Sequence, residues 1–311
     1  MEQNKPKPLS ELNLIDNFLF EEMLNDPETG PILAKVLLTA IFDKEFKNIQ
    51  IIPQRHVSGT QPDKHGICLD AYIDAIETSS ENPFENVAVE IQSNIYDIEP
   101  NKYRATNEAK RTRYYHSLID SKILKSGTDY HLLKNVAVIM ITPYDPFGEN
   151  RMVYTFKTSC VESPSLPYND GITTIFLYTK GIKGNPSQSL VHVLQYIENT
   201  DEKNAINSAL RNIQYGVTRI KNDGEVGVRY MKYWEIEENA RQEGRKEGHK
   251  AGLAEGHKAG LAEGHKAGLA EGHKTGVLEV AKNLLDILDP ATIAQKTGLA
   301  EEEILTLVEN Q

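Results

Sequence analysis

Two cysteines and a single tryptophan are all that 311 residues provide of either type. Cys68 and Cys160 build no disulfide framework and show no zinc-ligand spacing, which excludes a cystine-stapled secreted scaffold and fits a reducing compartment. No run of roughly 18 apolar residues is present, so no segment reads as a membrane-spanning helix. The opening MEQNKPKPLSEL has no apolar signal-peptide core. The expectation is a soluble cytoplasmic protein with no membrane partner. A basic excess is missing too. The 34 Lys/Arg against 45 Asp/Glu leave a net charge of −11, which argues against simple coating of nucleic acid, since phosphate binding relies on Lys and Arg.

Local composition departs from these averages. Residues 102–134 hold eight Lys/Arg against three Asp/Glu, with His116 and His131 in addition, forming a basic island in an acidic chain. The hydrophobic fraction of 39% is lowered by the C-terminal third, and the first two-thirds are rich enough in Ile, Leu, Val, Phe and Tyr to bury a core. After a disordered leader over 1–10, Ser10 is placed to cap a helix over about 11–25, and a second helix runs from Pro31 to about Phe42. Strand patterns follow at 48–53, 66–75 and 86–92, then a long helix over about 102–125 with Gly127 as its C-cap. NVAVIMIT at 135–142 reads as a strand buried on both faces. Strands near 152–160 and 172–178 and helices over 187–245 complete the body. The order predicts an α/β sandwich with a mixed sheet, because three consecutive strands pair as a meander and the next returns through a helix.

From residue 244 the texture changes. EGHKAGLA occurs three times over 247–270, EGHKTGVL follows, and glycine stands at every fourth position from Gly244 to Gly276. Each of these nine glycines costs a helix roughly 1 kcal/mol against Ala, while Glu sits three residues before Lys in every unit, at pairing distance. Two outcomes are physically open: a fraying helix that acts as a flexible spacer, or a stripe on which a second copy packs closely. The second makes the protein a homo-oligomer through its tail, and a right-handed winding is expected because four exceeds 3.6. The repeat histidines lie eight residues apart, too far for one helix to chelate a metal with two of them. The last segment, 289–311, has helix–turn–helix spacing but holds Lys296 against five acids, a poor composition for reading DNA. Met231 precedes the repeats; it is either an ordinary helix residue or a second start whose product, 231–311, would pair with the full chain.

Chemistry concentrates on two strands. Alternation in GICLDAYIDA puts Cys68, Asp70, Tyr72 and Asp74 on one face, and in NVAVEIQ it puts Glu90 and Gln92 on one face. If the strands are antiparallel neighbours, Asp70 and Glu90 come within metal-sharing distance. Two such carboxylates are costly together unless a cation offsets their repulsion, and hard oxygen ligands select Mg²⁺ or Mn²⁺. The plainer alternative is that both acids solvate an outer sheet face. Asp70, followed twenty residues later by Glu-Ile-Gln closing an apolar strand, resembles the PD-(D/E)XK nuclease superfamily in an E-x-Q form. With KRTRYYHSLIDSKILKSGTDYHLLKNVAVIMI at 110–141, the chain resembles in particular the Rpn family of recombination-promoting nucleases and transposases over roughly 12–180.

The resemblance implies an αβββαβ nuclease core over 11–182; beyond it the chain reads as a helical extension over 183–243, a repeat helix over 244–278 and a hairpin over 279–311. It implies a Mg²⁺-dependent DNA endonuclease acting in mobile-element recombination or in defence against foreign DNA. Asp70, Glu90 and the Ile91 carbonyl would ligate the metal. Gln92 stands where the superfamily more often has Lys; it cannot carry charge but can orient a water. Glu21 or Glu22 would support the site from the first helix. Lys110, Arg111, Arg113 and Tyr115 are the candidates for contact with DNA phosphates, while Tyr114 is expected in the core. The rival expectation is a non-catalytic DNA-binding or assembly scaffold with a degenerate core.

Overall fold

A computed structural model describes residues 6–57, 67–78, 94–100, 107–124, 127 and 129–309. Leu9–Glu11 form a short 3-10 turn and residues 12–16 are irregular, where a helix was expected from residue 11. Leu12, Leu14 and Ile15 are buried, and their backbone is bound elsewhere. The Leu14 amide donates to Thr200 Oγ1 at 2.8 Å and the Ile15 amide to the Ile197 carbonyl at 3.1 Å. Asp16 closes the segment by accepting from the Asn13 amide at 2.9 Å. These long-range bonds outweigh Ser10 as a local cap, and helix α1 starts only at Asn17, running to Asn25. Helix α2, Gly30–Phe42, has Pro31 in its first turn and ends on Asp43 in the left-handed region.

Among the described residues, six strands form one mixed sheet in the order β1-β2-β3-β4-β6-β5. They are β1 (Glu45–Val57), β2 (Ile67–Thr78), β3 (Asn94–Pro100), β4 (Val136–Thr142), β5 (Val153–Phe156) and β6 (Ile172–Tyr178). The first three are antiparallel neighbours, β3–β4 and β4–β6 run parallel, and β5 is an antiparallel edge. Helix α3 (Glu108–Ile123) makes the crossover from β3 to β4. It is shorter at both ends than expected. Asn107 caps its start by accepting from the Lys110 amide at 3.0 Å. At the other end the chain turns extended at Leu124, so Gly127, at φ +84°, lies beyond the cap it was expected to form.

VAVIMIT of β4 is buried at all seven positions, as its unbroken apolar run predicts. Ala137, Ile139 and Ile141 join the larger hydrophobic cluster, while Val136, Val138 and Met140 join a smaller one with Tyr115, Leu118 and Ile119 of α3. The larger cluster also takes in α1, α2, helix α4 (Gln188–Glu198) and helix α5 (Ser208–Lys221). The helices expected as an extension beyond residue 182 therefore share the core of the sheet.

The chain divides into two compact units at Trp234/Glu235. Helix α6 runs unbroken from Gly224 to Leu284, so the repeats belong to a helix that starts twenty residues before them. Along the repeats the side chains are exposed, and a Cβ added at any glycine from Gly244 to Gly276 would meet nothing within 4 Å. In the second unit α7 (Pro290–Thr297) and α8 (Glu301–Glu309) bury Ile293 and Ile304 with Ala281 of α6. Asp289 caps α7 and Gly298 ends it in the left-handed region, the expected hairpin.

Candidate functional site

Asp70 lies inside β2, between Leu69 and Ala71, which pair with Arg55 and Pro53 of β1. Asp74 is four positions further along the same strand and pairs with Gln50 on one side and Ile95 on the other. Its neighbours Ile73 and Ala75 enter the larger cluster, which leaves Asp74 on the opposite face, the one that α3 covers. Glu90, Ile91 and Gln92, with the whole expected strand 86–92, lie outside the described residues. Along Tyr72–Ala75 the antiparallel neighbour of β2 is β3, Asn94–Pro100.

Asp74 forms a half-buried ion pair: Lys134 Nζ approaches its Oδ2 at 2.6 Å. The second oxygen, Oδ1, is buried with no hydrogen-bond partner among the described residues. Lys134 follows α3 and precedes β4, so the end of the basic island closes over the acidic strand. No group of three His, Cys, Asp or Glu side chains able to hold a metal forms among the described residues. The acids from the first helix turn elsewhere in one case: Glu22 accepts a two-pronged contact from Arg229, at 3.0 and 2.7 Å.

Helix α3 separates the phosphate-contact candidates into two kinds. Lys110 and Arg113 are exposed. Arg111 is half-buried and donates from Nη2 to the Tyr115 hydroxyl at 3.0 Å, with its guanidinium 5.3 Å from the Tyr115 ring centre. Tyr115 itself is buried in the smaller cluster and Tyr114 packs partly buried against it. Tyr115 is thus a core residue that steadies Arg111, which corrects its expected place on a surface rail. The i, i+4 spacing on the helix puts the two in contact.

His116 also departs from expectation. It is 5% exposed, its Nε2 is 2.9 Å from Thr174 Oγ1, and its Nδ1 is buried without a hydrogen-bond partner among the described residues. Burial pushes its pKa down to about 4, against the pull of Asp170. The ring is neutral near pH 7 and adds no charge to the basic island.

Beside His116 the sequence reading missed a cleft of about 490 Å³ between α3, β5, β6 and the loop after β4. Arg113, His116 and Asp120 come from α3, and Phe147, Phe156 and Phe176 from the other side. Phe147 stands edge-on to Phe176 with ring centres 5.0 Å apart, and Phe156 is 5.0 Å from Phe147. The Phe147 loop is fixed by Asp145, whose Oδ1 accepts from the Phe147 amide at 3.0 Å, the Gly148 amide at 2.9 Å and the Tyr154 hydroxyl at 2.7 Å. Against the upward push of burial, those bonds and one from the Asn150 amide hold the Asp145 carboxyl below its ordinary range. Burial, with Asp170 nearby, raises the Asp120 carboxyl.

No family model matches the chain, and no curated protein and no solved structure matches it. No helix among the described residues is long and apolar enough to cross a membrane.

Proposed function

We propose that the first unit is a Mg²⁺-dependent DNA endonuclease of the PD-(D/E)XK type. The reading is carried by one combination: Asp70 in the second strand of an αβββαβ order, with Glu90-Ile91-Gln92 following in sequence and a basic helix crossing the same sheet. The donor set of Asp70, Glu90 and the Ile91 carbonyl is all oxygen, which suits Mg²⁺ or Mn²⁺. When bound, the metal supplies an activated water and stabilises charge developing on the phosphate. Gln92 orients that water by hydrogen bonding, since an amide can donate and accept but cannot take the proton. Lys110, Arg113 and the Tyr115-steadied Arg111 hold the DNA backbone without reading bases. The biological setting we infer is mobile-element recombination or defence against foreign DNA.

The test is plasmid nicking with Mg²⁺ and with EDTA. Asp70→Ala and Glu90→Ala are each expected to abolish metal-dependent cleavage, and Gln92→Ala to slow it with DNA affinity unchanged. Wild-type rates in both acid variants would overturn the site. A second reading, a DNA-binding or assembly scaffold without catalysis, rests on Gln92, which stands where the superfamily more often has Lys. It predicts binding without cleavage in the wild-type chain. For the tail we propose self-association, with a fragment starting at Met231 able to join the full chain. Co-expression of 231–311 with the full chain and co-purification test this.

A further inference from the structure

The cleft beside α3 shares only Arg113 with the roles assigned above, yet it is built. Phe147 and Phe156 are 38% and 46% exposed, a large apolar area to leave in water. Their rings are held by contacts with one another and with buried Phe176, and the loop carrying Phe147 is fixed by Asp145. Flat aromatic walls suit a flat aromatic guest. Across the cleft, Asp120 offers a carboxylate acceptor and Arg113 a cation. A free apolar ligand would use neither. A nucleotide uses both, through an exocyclic amino group and a phosphate. The cleft lies on the sheet face covered by α3, and β6 is three strand spacings from β2 in the sheet order, about 14 Å. That span is a few nucleotides of chain.

We propose that this cleft takes one unpaired base of a single-stranded nucleic acid, one of the mutually tilted Phe147 and Phe156 rings facing it and the other meeting its edge, its amino group on Asp120 and its phosphate on Arg113. The identity of the occupant rests on the nuclease reading. A base inside a duplex is closed to such a site, because both its faces are already stacked. The cleft therefore selects single-stranded or locally opened substrate and anchors one base of it a few nucleotides from the acidic strand. Its aromatic contacts tolerate any base, while Asp120 favours bases with an exocyclic amino group over thymine or uracil, so the main preference is for strand state with a weaker one for base type.

The experiment measures binding of a fluorescein-labelled mixed-sequence single strand of about 12 nucleotides, and of the same sequence as duplex, to the full chain in EDTA. Phe147→Ala and Phe156→Ala should each weaken single-strand binding by roughly five- to a hundredfold and leave duplex binding within a factor of about two. Phe156→Tyr, which keeps the ring, should restore wild-type binding, and thermal melts of each variant separate loss of the site from loss of the fold. Unchanged single-strand affinity in both alanine variants overturns the proposal. So does an equal loss for strand and duplex, or binding of a mononucleotide with none of the oligonucleotide. Because these arms contain no metal, they are independent of the nicking assay. Selective strand binding without cleavage would fault the nuclease reading and keep the cleft; cleavage with unchanged strand binding would do the reverse.

Discussion

The unit ending at Trp234 and the unit beginning at Glu235 both rely heavily on helix, for opposite reasons. In the first, α1, α2, α4 and α5 share one apolar cluster with the sheet, and Phe20, Leu19, Leu38 and Leu194 are fully buried. In the second, only Ala281, Ile293 and Ile304 form a buried cluster among the described residues, while Leu253, Leu261 and Leu269 are each 62% exposed. The first unit holds its helices by tertiary packing. The repeats hold theirs by local preference alone, from Ala, Leu, Glu and Lys and from Glu–Lys pairs three apart. The same substitution should therefore have different consequences on the two sides of the boundary.

The largest contrast is in leucine truncation. Leu38→Ala should cost about 3–5 kcal/mol, for lost burial and the cavity left behind, whereas Leu261→Ala should stay within roughly 0.5 kcal/mol. Urea denaturation of the full chain, followed separately by tryptophan fluorescence and by helical circular dichroism, measures both. Equal losses would mean that the repeats are packed.

Next comes acid. His116 is neutral in the folded state because its pKa is about 4, against 6.5 when unfolded. The unfolded chain then binds more protons through that window, so stability is complete above pH 6.5 and falls as the pH drops toward 4. The gap corresponds to roughly 3 kcal/mol. Asp120, whose carboxyl is raised by burial with Asp170 nearby, also titrates beside this ring, so the comparison is with His116→Gln. That variant should lose less stability than wild type between pH 7 and 4.5. Parallel losses would remove His116 from the acid response.

The smallest effect has the clearest sign. Gly216 in α5 is buried, and a Cβ there would stand 2.4 Å from Thr29 Cγ2. Thr29 cannot swing away freely, because its hydroxyl donates to Asp26 Oδ1 at 2.8 Å. Gly216→Ala should destabilise by about 1–3 kcal/mol through overpacking. Gly252→Ala, Gly260→Ala and Gly268→Ala enter open space within a single chain and there should each stabilise the tail helix by up to about 1 kcal/mol, an effect that the proposed self-association would reverse. Circular dichroism melts read both signs. A loss of stability in the tail variants would show that the glycines serve a close partner.

The same division decides what could be read from sequence. The buried strand β4, the start of α2 at Pro31 and the hairpin with Asp289 and Gly298 were legible, since each depends on neighbours in the chain. The first helix was misplaced because Leu14 and Ile15 bond to Thr200 and Ile197, nearly two hundred residues away. Strand β3 went unseen because NIYDIEP carries Asn, two acids and Pro, a composition that reads as a turn until two flanking strands supply its partners. Asp70 was placed correctly within a strand. The cleft was invisible: its phenylalanines stand at 147, 156 and 176, at no common period, and only the adjacency of β5 and β6 brings them together.

The unbroken helix α6 gives the repeats a further property. At about 100° per residue, each eight-residue unit advances about 12 Å and turns about 80°. The nine glycines, four apart, therefore do not form a stripe along one side. They wind about 320° around the axis from Gly244 to Gly276, and a partner following them would need a pitch of roughly 54 Å against about 150 Å in ordinary two-stranded coils. Repeat number then works as a phase setting. Adding or deleting one EGHKAGLA unit would carry the α7–α8 hairpin nearly a quarter turn around the helix as well as along it. Four or five such changes would return it to its starting direction, at a new distance.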